Sequence, residues 1–311
     1  MKIVFFGTPH FGALILEKLC QSEYKPVLVI TALDKPVGRK QVITPPPVKV
    51  VAEKYKISFG EITAIDNLKS LNPDLIIVAA YGKLLPKEIL EIPKYGCLNV
   101  HPSLLPKYRG PSPIQYAILN GDQETGVTII LMDEKMDHGP ILANSKIEID
   151  DFEIDYPNLH NKLAQLGSDL LIETIPKWIN GEIQPQTQDE AIATFTKIIK
   201  KEDGKIDWKK TAETLQRQIR AFHPWPSSYC FYEKDGKQRL IKILKTDCLE
   251  QSKHGPFGGP GKTFLAPDDK IAVQTGKDFL IIKELQMEGG KPMNSSEFLR
   301  GQTNFIGTVL K

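Results

Sequence analysis

The chain has 311 residues, of which 41% are hydrophobic and 25% charged, and its formal net charge is +2. This is the composition of an ordinary globular protein with room for two folded domains, and it argues against a strongly basic nucleic-acid coat protein. Four cysteines (Cys20, Cys97, Cys230 and Cys248) are scattered without CxxC pairs, which speaks against a disulfide framework and against a zinc site. The opening MKIVFFGTPHFG has too short an apolar run for a signal peptide, and no stretch approaches a membrane span. A cytoplasmic protein without membrane contact is expected.

Lys2 to Phe6 reads as a strand, and Phe11 to Cys20 as a helix through Leu14, Ile15 and Leu19. Gly7 and Gly12 have the spacing of a phosphate loop, but neither its Lys-Ser/Thr end nor GxGxxG is present. They read better as a turn that lets a helix pack closely on its strand. Pro26 to Thr31 is a second strand, followed by a long connection, ALDKPVGRKQVITPPPVK. Lys35, Arg39, Lys40 and Lys49 face one acid there, Asp34, and Pro45 to Pro47 stiffen the exit. Two readings stand: a loop for backbone phosphates, or a solvated charged loop.

Val48 to Lys56 reads as a helix, Ile57 to Ile62 as a short strand, and Ile65 to Leu71 as another helix. Asp74 to Ala80 is a fully apolar strand closed by Tyr81 and Gly82. A helix at Pro86 to Leu90 leads into the strand Cys97 to His101, and Pro111 to Leu119 follows as a helix. Strands at Thr125 to Met132 and Ile141 to Ile149 come before a long amphipathic helix, Asp155 to Trp178. The alternation predicts a doubly wound, mostly parallel α/β sheet. Asn180 to Lys205 is polar without a core face and reads as an interdomain crossing, which sets a first domain at 1–189, a linker at 190–206 and a second domain at 207–311. The second domain begins with a helix at Thr211 to Phe222. It continues as short strands (Tyr229 to Glu233, Leu240 to Leu244, Lys270 to Gln274, Phe279 to Leu285) separated by clusters such as HGPFGGPGK. This is the pattern of a small β-barrel, closed by a helix from Ser295 to Arg300 with Asn294 and Glu297 in capping-box positions.

The stretch GCLNVHPSLLPKYRG carries the chemistry. Alternate residues of a strand share a face, so Asn99 and His101 point the same way, and Pro102 ends the strand at the imidazole. Ligands bind at the carboxyl ends of parallel strands. The alternative is a capped or solvent-facing histidine. Asp137, in MDEKMDHG, can set the charge of His101 if the strands from Cys97 and Thr125 are neighbours, or else it is a turn aspartate. Cys97 shares the face of His101, but its Cα lies on the order of 13 Å away along the strand, too far for a Cys/His nucleophile. Amide, imidazolium and carboxylate together suit oxyanion stabilisation and proton transfer without a covalent intermediate.

The run NVHPSLLPKYRG, followed by PSPIQYAI, resembles the signature of the formyltetrahydrofolate-dependent formyltransferases, and the resemblance extends over the whole chain. It implies a Rossmann-like formyltransferase fold with a C-terminal OB-like barrel, and catalytic roles for Asn99, His101 and Asp137. It also implies 10-formyltetrahydrofolate as formyl donor, with no metal. Ser103, Leu104, Leu105 and Pro106 match the folate-binding SLLP loop of that family, and Tyr81 and Gly82 match a second folate loop. GTPHF, the DKPVGRK loop with its PPPVK exit, and IDWKKTAETLQRQIRAFHPWP resemble the branch that formylates initiator methionyl-tRNA, expected as a monomer. Lys35, Arg39 and Lys40 are then the expected tRNA contacts, with Arg39 leading, and the basic run Lys234 to Lys245 is a candidate surface for the tRNA body. Pro102, GPSP and His138 depart from the family pattern without removing a catalytic group. The rival readings are a formyltransferase acting on an amino sugar nucleotide, which would lack the basic loop, and a noncatalytic RNA-binding protein, which would leave the three polar residues unexplained.

Overall fold

The computed structural model describes residues 1–38, 41–61, 65–149, 154–234, 236–250, 258–302 and 304–311. The chain forms two compact units. The first comprises Met1–Pro113, Gln123–Ile149 and Asn158–Lys197; the second comprises Ile114–Asp122, a short segment ahead of Asn158, and Ile198–Lys311.

In chain order the elements up to the long helix are β1 (Ile3–Gly7), α1 (His10–Cys20), β2 (Leu28–Ile30), β3 (Lys35–Val37), β4 (Val42–Thr44), α2 (Pro47–Lys54), β5 (Ser58–Gly60), α3 (Ile65–Leu71), β6 (Leu75–Ala79), α4 (Lys87–Leu90), β7 (Cys97–His101), α5 (Pro113–Asn120), β8 (Glu124–Leu131), β9 (Ile141–Glu148) and α6 (Tyr156–Ile179). Seven strands make one sheet in the order β5-β2-β1-β6-β7-β8-β9. The first five are parallel, whereas β8 runs antiparallel to β7, and β9 antiparallel to β8. The β1 and β6 side chains are all buried, which is why those strands read as unbroken apolar runs. At the sheet edge, β9 alternates in burial. A Cβ at Gly12 would stand 2.6 Å from the Ala79 carbonyl oxygen, so this glycine lets α1 lie against the ends of β1 and β6.

Two features differ from the sequence reading. The connection after β2 is not an open loop, because β3 and β4 pair as an antiparallel hairpin in which Val37 faces Val42 and Pro36 faces Ile43. Its three-residue strands are wholly exposed, so no burial pattern marks them. Residues 190–206, read as a linker, divide at Lys197, and the segment before that point packs into the first unit through buried Thr196, with buried Gln188 just ahead of it. The buried side chains there are polar, which hides them from a search for apolar periodicity. The expected strand end at Ile62 and the loop residues His254 to Phe257 lie outside the described residues.

The second unit contains α7 (Ala212–Ala221), β10 (Ser228–Lys234), β11 (Lys237–Leu249), β12 (Thr263–Ala266), β13 (Lys270–Gln274), β14 (Phe279–Met287), β15 (Pro292–Asn294) and α8 (Ser295–Gly301). Its antiparallel sheet runs β10-β11-β14-β13-β12, with β15 on β14, an OB-like half-barrel. Residues 308–311 bridge the two open edges. The Lys311 amide and carbonyl both bond to Phe231 of β10 at 2.8 Å, and the Thr308 carbonyl accepts from the Thr263 amide of β12 at 2.9 Å. Ile241, Ile243, Leu280, Ile282 and Leu285 form the core with α7 residues Leu215 and Ile219. The Asn294 side chain accepts from the Glu297 amide at 2.8 Å and the Glu297 carboxylate returns the bond at 3.0 Å, so the capping box forms as its spacing predicts.

Candidate active site

The parallel strands β1, β2, β6 and β7 end at one edge of the sheet, and the polar groups singled out in the sequence gather at the end of β7. Asn99 and His101 leave the same face of that strand, and Asp137 meets both. Asn99 Nδ2 donates to Asp137 Oδ1 at 3.3 Å, and His101 Nδ1 lies 3.5 Å from the same oxygen. The second carboxylate oxygen accepts from the Gly110 amide at 2.7 Å.

The route taken by Asp137 is not the one the sequence suggests. Because β8 is antiparallel to β7, Thr128 faces His101 while Leu131 faces Leu98, and β8 ends at the wrong edge. The chain leaves β8 with the Met132 amide bonded to the Cys97 carbonyl at 2.8 Å, then folds back over β7 before closing through the Leu131 amide on the Pro140 carbonyl. Gly139 makes the return tight enough that a Cβ would sit 1.9 Å from the Leu131 carbonyl oxygen. Asp137 is held in the left-handed region, at φ 51.

His101 is only 5% exposed, and its Nε2 lies 3.0 Å from the Tyr108 carbonyl oxygen. A carbonyl can only accept, so Nε2 carries the hydrogen of a neutral ring. Nδ1 then donates toward Asp137 only when the ring holds a second proton. One shared proton therefore decides whether this side of the pair is attractive. Nε2 is committed, and Nδ1, loosely matched to the carboxylate, is the nitrogen left to serve a bound oxygen. Burial pushes the Cys97 thiol up to about 12, which removes it as a nucleophile.

Around this centre lies a shell that the sequence reading missed. Arg109, 2% exposed, donates through Nε (3.0 Å) and Nη2 (2.9 Å) to Gln188 Oε1, and through Nη1 (3.1 Å) and Nη2 (2.6 Å) to Glu190. The hydrogen bond from Arg109 holds the Glu190 carboxyl below its ordinary range. Gln188 Nε2 donates to the Asp137 carbonyl at 2.9 Å and to the Gly139 carbonyl at 2.8 Å. His138, which departs from the family pattern, places Nδ1 2.5 Å from Asp133 and Nε2 3.5 Å from Glu190. Arg109 was visible as part of KYRG, but Gln188 stands in a polar run with nothing to mark it.

The remaining candidates divide. In the SLLP loop, Ser103 is turned inward, its hydroxyl donating to the Lys107 carbonyl at 2.5 Å and its carbonyl accepting from Thr128 at 2.7 Å. Leu105 is buried and its amide donates to Thr128 Oγ1 at 3.1 Å. Leu104 and Pro106 are half-buried. Tyr81 is buried edge-on against Phe6, with ring centroids 5.2 Å apart, and burial raises its hydroxyl pKa. Gly82 has φ 80 and open space where a side chain would project. Lys35 is exposed on β3, while Arg39 and Lys40 lie outside the described residues. Lys49 is tied to Asp34 at 2.8 Å and so is not a spare cation of the hairpin. In the Lys234 to Lys245 run, Lys245 pairs with Glu284 at 3.3 Å and Lys234 donates to Gln302 at 2.7 Å; Asp235 lies outside the described residues.

Comparison with known proteins identifies the family of both units. Residues 1–175 match the family described as formyl transferase, and residues 198–303 match the formyl transferase C-terminal domain. A methionyl-tRNA formyltransferase of Citrifermentans bemidjiense is 42% identical over 97% of this chain and 93% of its own, and one of Halalkalibacterium halodurans is 43% identical over 100% and 98%. Among solved structures, an N-formyltransferase of Helicobacter canadensis in complex with folinic acid and dTDP-3-aminofucose gives a TM-score of 0.65 at 21% identity, over 91% of this chain and 98% of that one. HypX of Aquifex aeolicus with tetrahydrofolic acid gives 0.62 at 17% identity, over 98% of this chain but only 48% of that longer one. At such identities the structures speak for the fold.

Proposed function

The chain belongs to the formyl transferase family, and from that premise we propose that it transfers the formyl group of 10-formyltetrahydrofolate to the α-amine of initiator methionyl-tRNA. The observation that carries the reading is identity above 40%, across both units, to proteins named for that reaction. The amino sugar nucleotide reading has only fold-level support, at 21% identity.

The mouth beside His101 suits the donor. Gly82 faces open space, and Leu104 and Pro106 offer half-buried apolar surface on the loop after β7. Leu104, Pro106, Tyr81 and Gly82 would hold the folate, with Ser103 and Leu105 shaping the loop from within. Bound there, the folate supplies an activated formyl carbonyl. Asn99 Nδ2 donates to the carbonyl oxygen as the amine attacks and negative charge develops, and His101 Nδ1 donates to the same oxygen when the ring is protonated. Asp137 accepts the proton that the attacking nitrogen must lose, and the leaving nitrogen takes one up. Lys35, Arg39 and Lys40 would meet tRNA phosphates, and in the second unit the exposed basic side chains of β11 would meet others.

The reading places the protein in the cytoplasm as a monomer without membrane contact. Among the described residues, no helix is long and apolar enough to cross a membrane. Incubation with labelled 10-formyltetrahydrofolate and, separately, charged initiator tRNA, an amino sugar nucleotide and glycinamide ribonucleotide tests the assignment. Label should pass to the tRNA alone; transfer only to the sugar nucleotide would overturn it.

A further inference from the structure

We infer that Gln188 is a positioning residue for formyl transfer, acting through the backbone of Asp137; this rests on the role proposed above for Asp137. The Gln188 side chain is buried at 5% exposure. It does not touch the carboxylate, and its effect runs through main-chain groups.

The orientation of its amide is fixed by its neighbours. Two N–H groups of Arg109 point at one end, at 3.0 and 2.9 Å, so that end is the oxygen. Two carbonyls, of Asp137 and Gly139, face the other end at 2.9 and 2.8 Å, so that end is the donor. Arg109 is itself anchored. Its amide donates to the Thr194 carbonyl at 2.9 Å, its carbonyl accepts from the Thr196 amide at 2.8 Å, and its guanidinium is gripped by Glu190. One glutamine thus ties the loop carrying Asp137 to a fixed cation.

Asp137 needs the tie. At φ 51 its backbone lies in the left-handed region, which aspartate tolerates better than most L-residues but which neighbouring contacts must still select over the commoner conformations. Two donors on the carbonyls at 137 and 139 impose it from one side, and the Gly110 amide on Oδ2 imposes it from the other. If the carbonyl pair is released, the loop can relax, and Oδ1 swings away from Asn99 and His101. A misplacement of this size leaves the substrate surfaces intact while degrading the reacting geometry.

The test pairs two substitutions. Gln188→Ala removes both donors. Gln188→Glu keeps the shape and strengthens the grip on Arg109, but turns an acceptor toward two carbonyls, so it holds the fold while losing the function under test. Both variants are assayed with 10-formyltetrahydrofolate and methionyl-tRNA, with thermal midpoints measured in parallel. Expected is a fall in kcat of about tenfold to a hundredfold, with KM for donor and acceptor held within about twofold and Gln188→Glu melting within a few degrees of the parent. Wild-type kcat in both variants, a loss carried mainly by KM, or failure of both to fold would overturn the inference. Asp137→Asn run alongside separates the two claims. If that substitution leaves transfer intact, the role of Asp137 is wrong. If it abolishes transfer while the Gln188 variants are fully active, only the present inference is.

Discussion

Replacing Asp137 with asparagine changes one atom and almost nothing in the packing, so the consequences can be followed group by group. The carboxylate accepts from Gly110 on one oxygen, and on the other accepts from Asn99 and faces His101. An asparagine whose oxygen keeps the Gly110 hydrogen turns its NH2 toward Asn99 Nδ2, donor against donor. It also offers a hydrogen to His101 Nδ1, which fixes the ring as the neutral acceptor. The proton acceptor is lost and the donor at Nδ1 is lost with it. General acid–base contributions run to roughly 10²–10⁴ in rate, so a fall in kcat of about 10³ is expected, or about 4 kcal/mol of barrier. Stability should hardly move, because asparagine is at home in the left-handed region that this residue occupies at φ 51. Single-turnover formylation of methionyl-tRNA, with a thermal melt on the same sample, gives both readings. A folded variant that keeps more than about a tenth of the parental rate constant would refute the role given to this carboxylate.

Asn99→Ala should lower kcat by about 10²-fold, the worth of one oxyanion donor, with the donor KM nearly unchanged; an unaltered kcat would remove Asn99 from the site. Gly12→Ala must push α1 off the Ala79 carbonyl, 2.6 Å from the new Cβ, and should cost about 2–3 kcal/mol in denaturant unfolding, whereas a change under about 0.5 kcal/mol would mean the helix moves freely. Affinity for tRNA should fall steeply with salt as counterions are released, and a flat response would deny the hairpin and β11 their part. Burial, opposed by a hydrogen bond to Asn161 and reinforced by His10, lowers the pKa of His160 from its ordinary 6.5. The unfolded chain therefore binds the proton more readily, and this contribution to stability is complete above pH 6.5 and is lost as pH falls toward the lowered value. The melting point of His160→Leu should accordingly decline less than that of the parent between pH about 7.5 and about 5.5.

The parallel half of the sheet was legible because β1 and β6 are buried on both faces and read as unbroken apolar runs. The pairing of Asn99 with His101 was legible for an equally local reason, the period of two along a strand. The approach of Asp137 was not. Adjacency of β7 and β8 follows from their succession, but the antiparallel direction and the fold-back over β7 rest on contacts distant in sequence, such as Met132 on Cys97. The hairpin β3–β4 escaped because its short strands bury nothing. The same blindness applies to residues 186–196, whose ties are hydrogen bonds made by Gln186, Gln188, Thr194 and Thr196, while the large apolar residues among them, Ile192 and Phe195, are exposed.

Those inconspicuous ties bear on the strain at the mouth. Ala80, Tyr108 and Asp137 all adopt φ between 51 and 63, a conformation costing Ala80 and Tyr108 roughly 1 kcal/mol or more each and Asp137 less. Tyr108 aims its carbonyl at His101 Nε2 from that conformation, and Asp137 aims its carboxylate at the other ring nitrogen. Both are held by the same polar strap: the Tyr108 amide donates to Thr194 Oγ1 at 2.8 Å, and Gln188 holds the Asp137 carbonyl at 2.9 Å. The imidazole is thus fixed from two sides by residues that would relax if the strap let go, so its orientation is set before any substrate arrives. Preorganisation of that kind is what makes a buried donor effective at the moment charge develops. It follows that a segment contributing no reacting group can limit the rate, and that substitutions in 186–196 should separate turnover from binding more cleanly than substitutions in the mouth itself.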